Sequence, residues 1–384
     1  MRIAHVTDGY LPRMGGIERQ VEGLTRAQAA IGHDVEIITS VAPAGHRSAV
    51  PVIGPSRAGA RPGSIRYLAT FSGRDAVLTG GYDLVHVHAS TCSPLAWLTI
   101  AGTIPAGIPT VATAHSFWSW ATPIFRGFDV ALDWRRWPIT WTAVSRVAAA
   151  TLAEVVRPAE PIPVIPNGID PQLWTPSRLP RTDNRVVLVS VLRLAARKRP
   201  LHLLKMLRAV RERTPAGLRI EVKIIGDGPK RPQLESYLRR HRMTDWVQLT
   251  GQLDQPAIRR VFDDADLYLS PATLESFGIA ALEARCAGLP VIAFAGTGVS
   301  DFIQHGRNGL LVGSDAEMVE AIARLVCEPA ARERLTRHNL TTESGFSWPG
   351  VLAACERVYQ QAFVRMGRSP MVPDAERLAQ PAGG

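Results

Sequence analysis

The sequence predicts an α/β protein made of two doubly wound, parallel-sheet domains, and three observations carry that expectation. Its 384 residues exceed what one hydrophobic core usually serves. Short apolar strands alternate with helical runs in both halves, the pattern of a parallel sheet covered on two faces. Between about residues 157 and 185 the chain turns Pro-rich and polar, with Pro158, Pro161, Pro163, Pro166, Pro171, Pro176 and Pro180 and an Asn167-Gly168 turn. Apolar residues make up 46% and Asp, Glu, Lys and Arg 20%, a balance able to bury such cores.

In order along the chain, Ile3-Ala4-His5-Val6 reads as a strand, followed by a loop holding Gly15-Gly16. A helix patterned on Val21, Leu24, Ala27 and Ala30 comes next, and then strand Val35-Glu36-Ile37-Ile38. Further strands read at Leu84 to Val87, Thr110 to Thr113 and Trp141 to Val144. After the Pro-rich break the pattern restarts with strand Val186 to Val191, a helix over 200–212 and strand Ile220 to Ile225, which leads into Gly226-Asp227-Gly228. Strands at Val247 to Leu249, Leu267 to Leu269 and Val291 to Ala293 follow, separated by helices. The expected organisation is a first domain over 1–175, a second over 176–347, a last helix over 348–366 and a disordered tail over 367–384.

The formal charge of +10 rests on 44 basic residues, of which only Lys198, Lys205, Lys223 and Lys230 are lysines. Such an excess suits phosphate-rich partners, but no arginine-rich recognition helix, RNA-binding aromatic signature or zinc-finger spacing points to nucleic acid. Cys92, Cys286, Cys327 and Cys355 are scattered without CxxC, which argues for reduced thiols and a cytoplasmic setting. The N-terminus reaches Asp8 without a long apolar run, so no signal peptide is read. Residues 89–125 lack charge but contain Pro94, Pro105, Pro109, Pro123 and His115, and read as a buried helix and strand rather than a membrane span. Neither half has GxGxxG directly after its first strand, and GxxxxGK[ST] is absent, so the usual dinucleotide and P-loop fingerprints are missing.

The segment richest in chemistry runs from Ser270-Pro271 through Glu275-Ser276-Phe277-Gly278-Ile279 to Glu283-Ala284, a strand end feeding a helix. Open α/β sheets bind ligands at such carboxyl ends. On a continuous helix from Glu275, Glu283 would lie about 12 Å further along at 1.5 Å per residue. That span suits a diphosphate-linked pair of sugars. Glu275 would accept bonds from donor-sugar hydroxyls and Glu283 from the ribose, while the amides of Ser276 to Ile279 face the phosphates. Either glutamate alone reads first as a solvated helix charge; the pair in an apolar helix entrance reverses that preference in favour of the ligand. After the first strand of the second half, Arg193-Leu194-Ala195-Ala196-Arg197-Lys198 places Arg193 and Lys198 to clamp a diphosphate and to stabilise charge as it leaves. A plain charged loop is the alternative.

With Gly15-Gly16, Pro166-Asn167-Gly168-Ile169-Asp170, Gly226-Asp227-Gly228-Pro229, Gly288-Leu289-Pro290-Val291-Ile292-Ala293 and Asn308-Gly309-Leu310-Leu311-Val312, these segments resemble the family 4 glycosyltransferases of GT-B fold over roughly residues 1–365. The resemblance implies two Rossmann-like domains facing across a cleft, an acceptor-side first domain, a nucleotide-sugar-binding second domain and a last helix crossing back to the first. It implies a retaining, metal-independent hexosyltransferase that draws glucose, mannose or N-acetylglucosamine from a UDP- or GDP-sugar and holds no resident cofactor. The hydroxyl acceptor would be a cell-envelope glycolipid or polysaccharide precursor. By the same match His115 faces the donor sugar, and Gly15, Gly16 and the 296–300 loop offer backbone amides. The alternative for His115 is a hydrogen-bonded core histidine. Asp264-Ala265-Asp266 looks like a metal-binding DxD but reads as a helix end and strand start. An epimerase of the same fold and a non-catalytic nucleotide-sugar-binding module stay open.

Phe117, Trp118, Trp120, Trp134, Trp137 and Trp141 interleave with Arg126, Arg135 and Arg136. Aromatic and basic residues together suit a lipid-linked acceptor or peripheral contact with the anionic inner face of the cell membrane, with Trp118, Trp120, Arg126, Arg135 and Arg136 as its surface. Sugar stacking, or a tryptophan core, are the other readings.

Overall fold

A computed structural model describes residues 1–11, 15–41, 48–55, 64–118, 122–125, 127, 133–176 and 185–369, with the backbone alone over 64–69. It resolves into two compact units, one of Met1–Gly168 with Phe346–Gly384 and one of Ile169–Gly345. The sequence boundary at 175/176 thus sits slightly late. The short turn Pro171–Trp174 belongs with the second unit because Trp174, 1% exposed, packs on Phe262 with ring centroids 5.5 Å apart.

In the first unit, strands β1 (Arg2–Thr7), β2 (Asp34–Thr39), β3 (Val52–Ile53), β4 (Leu84–Ala89), β5 (Thr110–Ala114) and β6 (Thr140–Ala143) form a parallel six-stranded sheet in the order β3-β2-β1-β4-β5-β6. Every residue of β4 and β5 is buried, as expected for central strands of a covered parallel sheet. Helices α1 (Gly16–Ala30), α2 (Ser64–Thr79), α3 (Pro94–Thr103) and α4 (Arg146–Val156) connect them. Local chemistry sets their starts. The Ser145 hydroxyl accepts from the Ala148 amide at 3.0 Å to cap α4. Helix α3 opens on Pro94 and receives its carboxylate from another loop, Asp8 accepting from the Leu95 and Ala96 amides at 3.0 and 3.2 Å.

The second unit repeats the plan. Strands β7 (Arg185–Val191), β8 (Arg219–Ile225), β9 (Val247–Gly251), β10 (Leu267–Ser270), β11 (Val291–Phe294) and β12 (Gly309–Val312) lie in the order β12-β11-β10-β7-β8-β9, all parallel. Helices α5 (Pro200–Arg213), α6 (Arg231–Arg240), α7 (Gln255–Asp264), α8 (Ile279–Cys286), α9 (Asp315–Cys327) and α10 (Pro329–Thr341) cover it. Each sheet reverses its winding once, between β1 and β4 and between β7 and β10, and the loops leaving these strands frame the crevice where open α/β sheets hold ligands.

The last helix, α11 (Trp348–Arg365), packs within the first unit. Val351, Cys355, Val358, Tyr359, Ala362 and Phe363 make a helical stripe buried with Ile3, Leu24, Leu84, Val111 and Ile165. At its start the Trp348 ring lies so close to two glycines that an added Cβ would sit 2.3 Å from it at Gly23 and 2.5 Å at Gly168. Among the described residues no helix is long and apolar enough to cross a membrane, and the uncharged 89–125 run is divided between α3 and β5.

Candidate active site

At the winding reversal of the second unit, the loop after β7 carries Arg193 and Lys198 and the loop after β10 carries Glu275. The Lys198 ammonium donates to Glu275 Oε2 in an ion pair largely shielded from solvent, at 22% and 16% side-chain exposure. The sequence reading of separate roles for a cationic clamp and a sugar-binding acid thus meets a preassembled pair. Arg193 is exposed, on a loop whose backbone is held firmly: Leu192 and Leu194 amides donate to Ile225 and Asp227 carbonyls, both at 2.9 Å. Gly226, at φ +130, allows this approach, since a Cβ there would meet the Leu192 carbonyl oxygen at 2.1 Å.

Glu275 does not begin a helix. Helix α8 starts only at Ile279, after Gly278 at φ +91, so the 12 Å helical spacing expected from Glu275 to Glu283 does not apply. Residues 275–278 are instead an irregular turn supported by the 296–300 loop. The Gly298 amide donates to the Glu275 carbonyl at 2.7 Å, and a Cβ on Gly298 would lie 2.1 Å from the Ser276 oxygen. Phe277 points inward at 2% exposure against Phe302, leaving only its backbone for a ligand. Glu283 is 6% exposed on α8. Both carboxylates bear on Tyr268, whose hydroxyl donates to the Val191 carbonyl at 3.3 Å: burial first, then the charges of Glu275 and Glu283, push its phenol well up.

Sequence reasoning passed over Arg199, next to the clamp. Its backbone adopts φ +55 and its guanidinium takes both Asp315 carboxylate oxygens at 2.7 and 2.8 Å and the Pro271 carbonyl at 3.2 Å. It lies 5.1 Å over the Phe294 ring. One side chain so ties the Lys198 loop to the strand that precedes Glu275 and to the start of α9. A cation amid Arg197-Lys198-Arg199 gave no sequence signal that separated it from its neighbours.

The DxD lookalike sits at the other end of the sheet. Asp264 closes α7 and accepts from Arg185 at 3.1 Å and Lys223 at 2.8 Å, and Asp266 accepts from the Val187 amide at 2.8 Å ahead of β10. Its carboxylates are engaged in holding strands together.

In the first unit Gly15 and Gly16 start α1, and Glu18 packs against Gly15 so closely that a Cβ there would fall 2.1 Å from its Oε2. His115 follows β5 and is 8% exposed. Among the described residues it is one of four buried histidines, with His5 on β1 and His86 and His88 on β4, whose side chains share one face because alternate strand residues point the same way. Nδ1 of His88 lies 3.0 Å from Nε2 of His115, and Nε2 of His88 lies 2.9 Å from Nδ1 of His5. Burial pushes His5 and His115 down to about 4, and burial with neighbouring imidazoles takes His86 and His88 well below the ordinary value. The burial of His115 and its bond to His88 are those of the hydrogen-bonded core histidine, the alternative reading of that side chain.

The aromatic stretch needs correction. Trp118, expected on an acceptor or membrane surface, is fully buried, stacked on Phe125 at 4.9 Å and tilted against Trp97 at 5.5 Å. Trp134 and Trp141 join the same cluster, 5.6 Å apart. It is a core between α3 and β6, formed because large rings lose most water contact there. Arg135 and Arg136 are exposed. Trp120 and Arg126 lie outside the described residues.

With this geometry in view, comparison with known proteins defines the class. The glycosyl transferases group 1 family matches residues 175–340 and glycosyltransferase family 4 matches residues 14–173. The chain belongs to the family 4 glycosyltransferases of GT-B fold and is a glycosyltransferase. It is 29% identical to a D-inositol 3-phosphate glycosyltransferase of Arthrobacter sp. (strain FB24), over 77% of this chain and 74% of that protein. It is 24% identical to a phosphatidylinositol N-acetylglucosaminyltransferase component of Arabidopsis thaliana, over 96% of this chain and 84% of that one. In fold it is similar to Anabaena HepE crystallised with UDP and glucose, with a TM-score of 0.73 and 19% identity over 94% of this chain and 98% of that one.

Proposed function

We propose that this glycosyltransferase moves a hexosyl unit, with retention and without a metal, from a UDP- or GDP-sugar to a hydroxyl of a cell-envelope glycolipid or polysaccharide precursor. The observation that carries the proposal is the Lys198–Glu275 pair set beside Arg193 at the winding reversal of the second sheet. Lys198 and Arg193 bind the diphosphate, and their charge counts most as the sugar–phosphate bond breaks, because negative charge then grows on the leaving oxygen. Glu275, already desolvated and held by its turn, accepts sugar hydroxyls. Donor binding exchanges its bond with Lys198 for bonds to the substrate. Glu283 takes the ribose, the amides of Ser276, Phe277, Gly278 and Ile279 take phosphate oxygens, and Gly15 and Gly16 present backbone to the ligand. His115 acts on the sugar being transferred.

Metal independence is supported by the engagement of Asp264 and Asp266 in structural bonds. The envelope acceptor is supported by the inositol-phosphate and phosphatidylinositol substrates in the names of the relatives. The exposed Arg135 and Arg136 suit peripheral contact with an anionic inner membrane face.

A thermal-shift panel of UDP-, GDP- and ADP-sugars tests the donor, because a ligand that binds the native state raises its apparent stability. One nucleotide series should shift the wild type and lose most of that shift in Glu283→Ala. No shift with any of them, or an identical shift in Glu283→Ala, would sink the reading. Product analysis of the responding donor, with and without a hydroxyl acceptor, separates transfer from isomerisation and from binding alone.

A further inference from the structure

The buried histidines form a chain of hydrogen bonds whose proton order follows from its far end. Gln28 on α1 meets His5 Nε2 through Oε1 at 2.7 Å and donates from Nε2 to the Tyr359 hydroxyl at 2.8 Å. An amide oxygen only accepts, so His5 carries its proton on Nε2 and its Nδ1 is bare. That bare nitrogen faces His88 Nε2, which must then hold the proton, leaving His88 Nδ1 bare towards His115 Nε2. His115 is thereby protonated on Nε2, with its lone pair on Nδ1.

The other branch closes in the same sense. Tyr359, having accepted from Gln28, donates to His86 Nδ1 at 2.9 Å, and His86 Nε2 donates to Thr113 Oγ1 at 2.6 Å. Nowhere do two N–H groups or two lone pairs face each other. Reversing the Gln28 amide would reverse every bond at once and move the His115 proton to Nδ1, so the two orders exclude each other.

We propose that Gln28, locked by Tyr359 of the last helix, fixes through His5 and His88 the tautomer in which His115 carries its proton on Nε2. Gln28, His5 and His88 are thus positioning residues for His115. The inference rests on the role given to His115 above: any substrate hydroxyl that reaches Nδ1 must donate to it. The aligned N–H dipoles also polarise one another, strengthening that acceptor. Because burial holds these imidazoles neutral through the ordinary pH range, the order survives as pH changes.

One nitrogen from each of His5, His86 and His88 lies within 4.8 Å of the others, a span that one cation could bridge. All six ring nitrogens of these residues already have protein partners, which a metal would have to displace. The proton chain, not a metal centre, is the reading these bonds favour.

Ring-nitrogen NMR of the full-length, 15N-histidine-labelled protein tests this directly. The expected spectrum shows His5, His88 and His115 protonated on Nε2. Protonation of any of them on Nδ1, or a stoichiometric metal in elemental analysis with shifted ring nitrogens, overturns the proposal. Gln28→Met, which removes the acceptor, should mix the His115 tautomers and lower kcat about ten- to a hundredfold with KM for the sugar nucleotide unchanged, in the range for loss of an orienting partner. Gln28→Glu restores the acceptor and should restore the tautomer and most of kcat. A Gln28→Met protein with mixed tautomers and wild-type kcat would refute the positioning role. Should that variant fail to fold, the wild-type spectrum and Tyr359→Phe, which unlocks the amide, decide. If no sugar nucleotide is turned over, the functional reading falls while the spectrum still judges the tautomer.

Discussion

The two units share one strand order and wind around it alike, yet they use the ends of their central strands in opposite ways. In the second, charge is concentrated at the reversal point: Arg193, Lys198 and Glu275, braced by Arg199 on Asp315. In the first, the same place is occupied by buried imidazoles, of which His5, His88 and His115 are bonded in a row. None of the second unit's histidines, at 202, 241, 305 and 338, is buried. One architecture thus carries an ion pair at one reversal point and a chain of hydrogen-bonded imidazoles at the other, and the difference lies in a few residues at strand ends.

The largest effect that separates the units is acidification. A native imidazole with its pKa near 4 titrates at about 6.5 once unfolded, so below about pH 6.5 the unfolded chain takes up protons that the native first unit refuses. Its stability is complete above that pH and falls as pH drops towards 4, with a slope approaching about 1.4 kcal/mol per pH unit for each buried histidine. Hydrogen exchange at pH 7.5 and 5 should show β4 amides losing far more protection than β7 amides. Equal losses would break the comparison.

Next in size is the charged site. Lys198→Ala should lower kcat/KM about a hundred- to a thousandfold, as loss of one transition-state charge donor does, and should cost about 1–3 kcal/mol in denaturant unfolding because it leaves the shielded Glu275 carboxylate without its partner. A loss confined to KM would recast Lys198 as a binding residue only. A smaller, purely structural effect is expected from Gly23→Ala, whose new methyl would meet the Trp348 ring at 2.3 Å. Overpacking there should cost about 1–3 kcal/mol, read as a lowered Tm, with wild-type donor binding in the second unit. The smallest change belongs to Arg136→Ala. Its pair with Asp133 at 3.2 Å is wide open to solvent, so stability should move by no more than about 0.5 kcal/mol, and any loss of sedimentation with anionic liposomes then reports membrane contact rather than folding.

What could be read in advance follows from how local each feature is. The strands, the helices, the doubly wound plan and the Glu275 and Lys198 segments were legible because periodicity and turn residues are local properties. The start of α8 was misread, since an apolar run after Ser-Pro looks helical from Glu275 onward. Only the left-handed Gly278 and the backbone packing of Gly298 show why the helix waits until Ile279. Trp118 was misplaced for a related reason: aromatic and basic residues interleave in sequence, and which of them face inward depends on α3 and β6, brought alongside by the fold.

By itself, then, the amino-acid order determined the fold class, the family and the segments that carry the candidate acidic and basic residues, all of them written in short-range pattern. Tertiary structure alone decided that Lys198 pairs with Glu275 across 77 positions, that Arg199 braces them, and that Gln28, His5, His88 and His115 form one chain. The reason is physical. A hydrogen bond needs its partners within about 3 Å, and for residues far apart in sequence only the packed sheet supplies that distance.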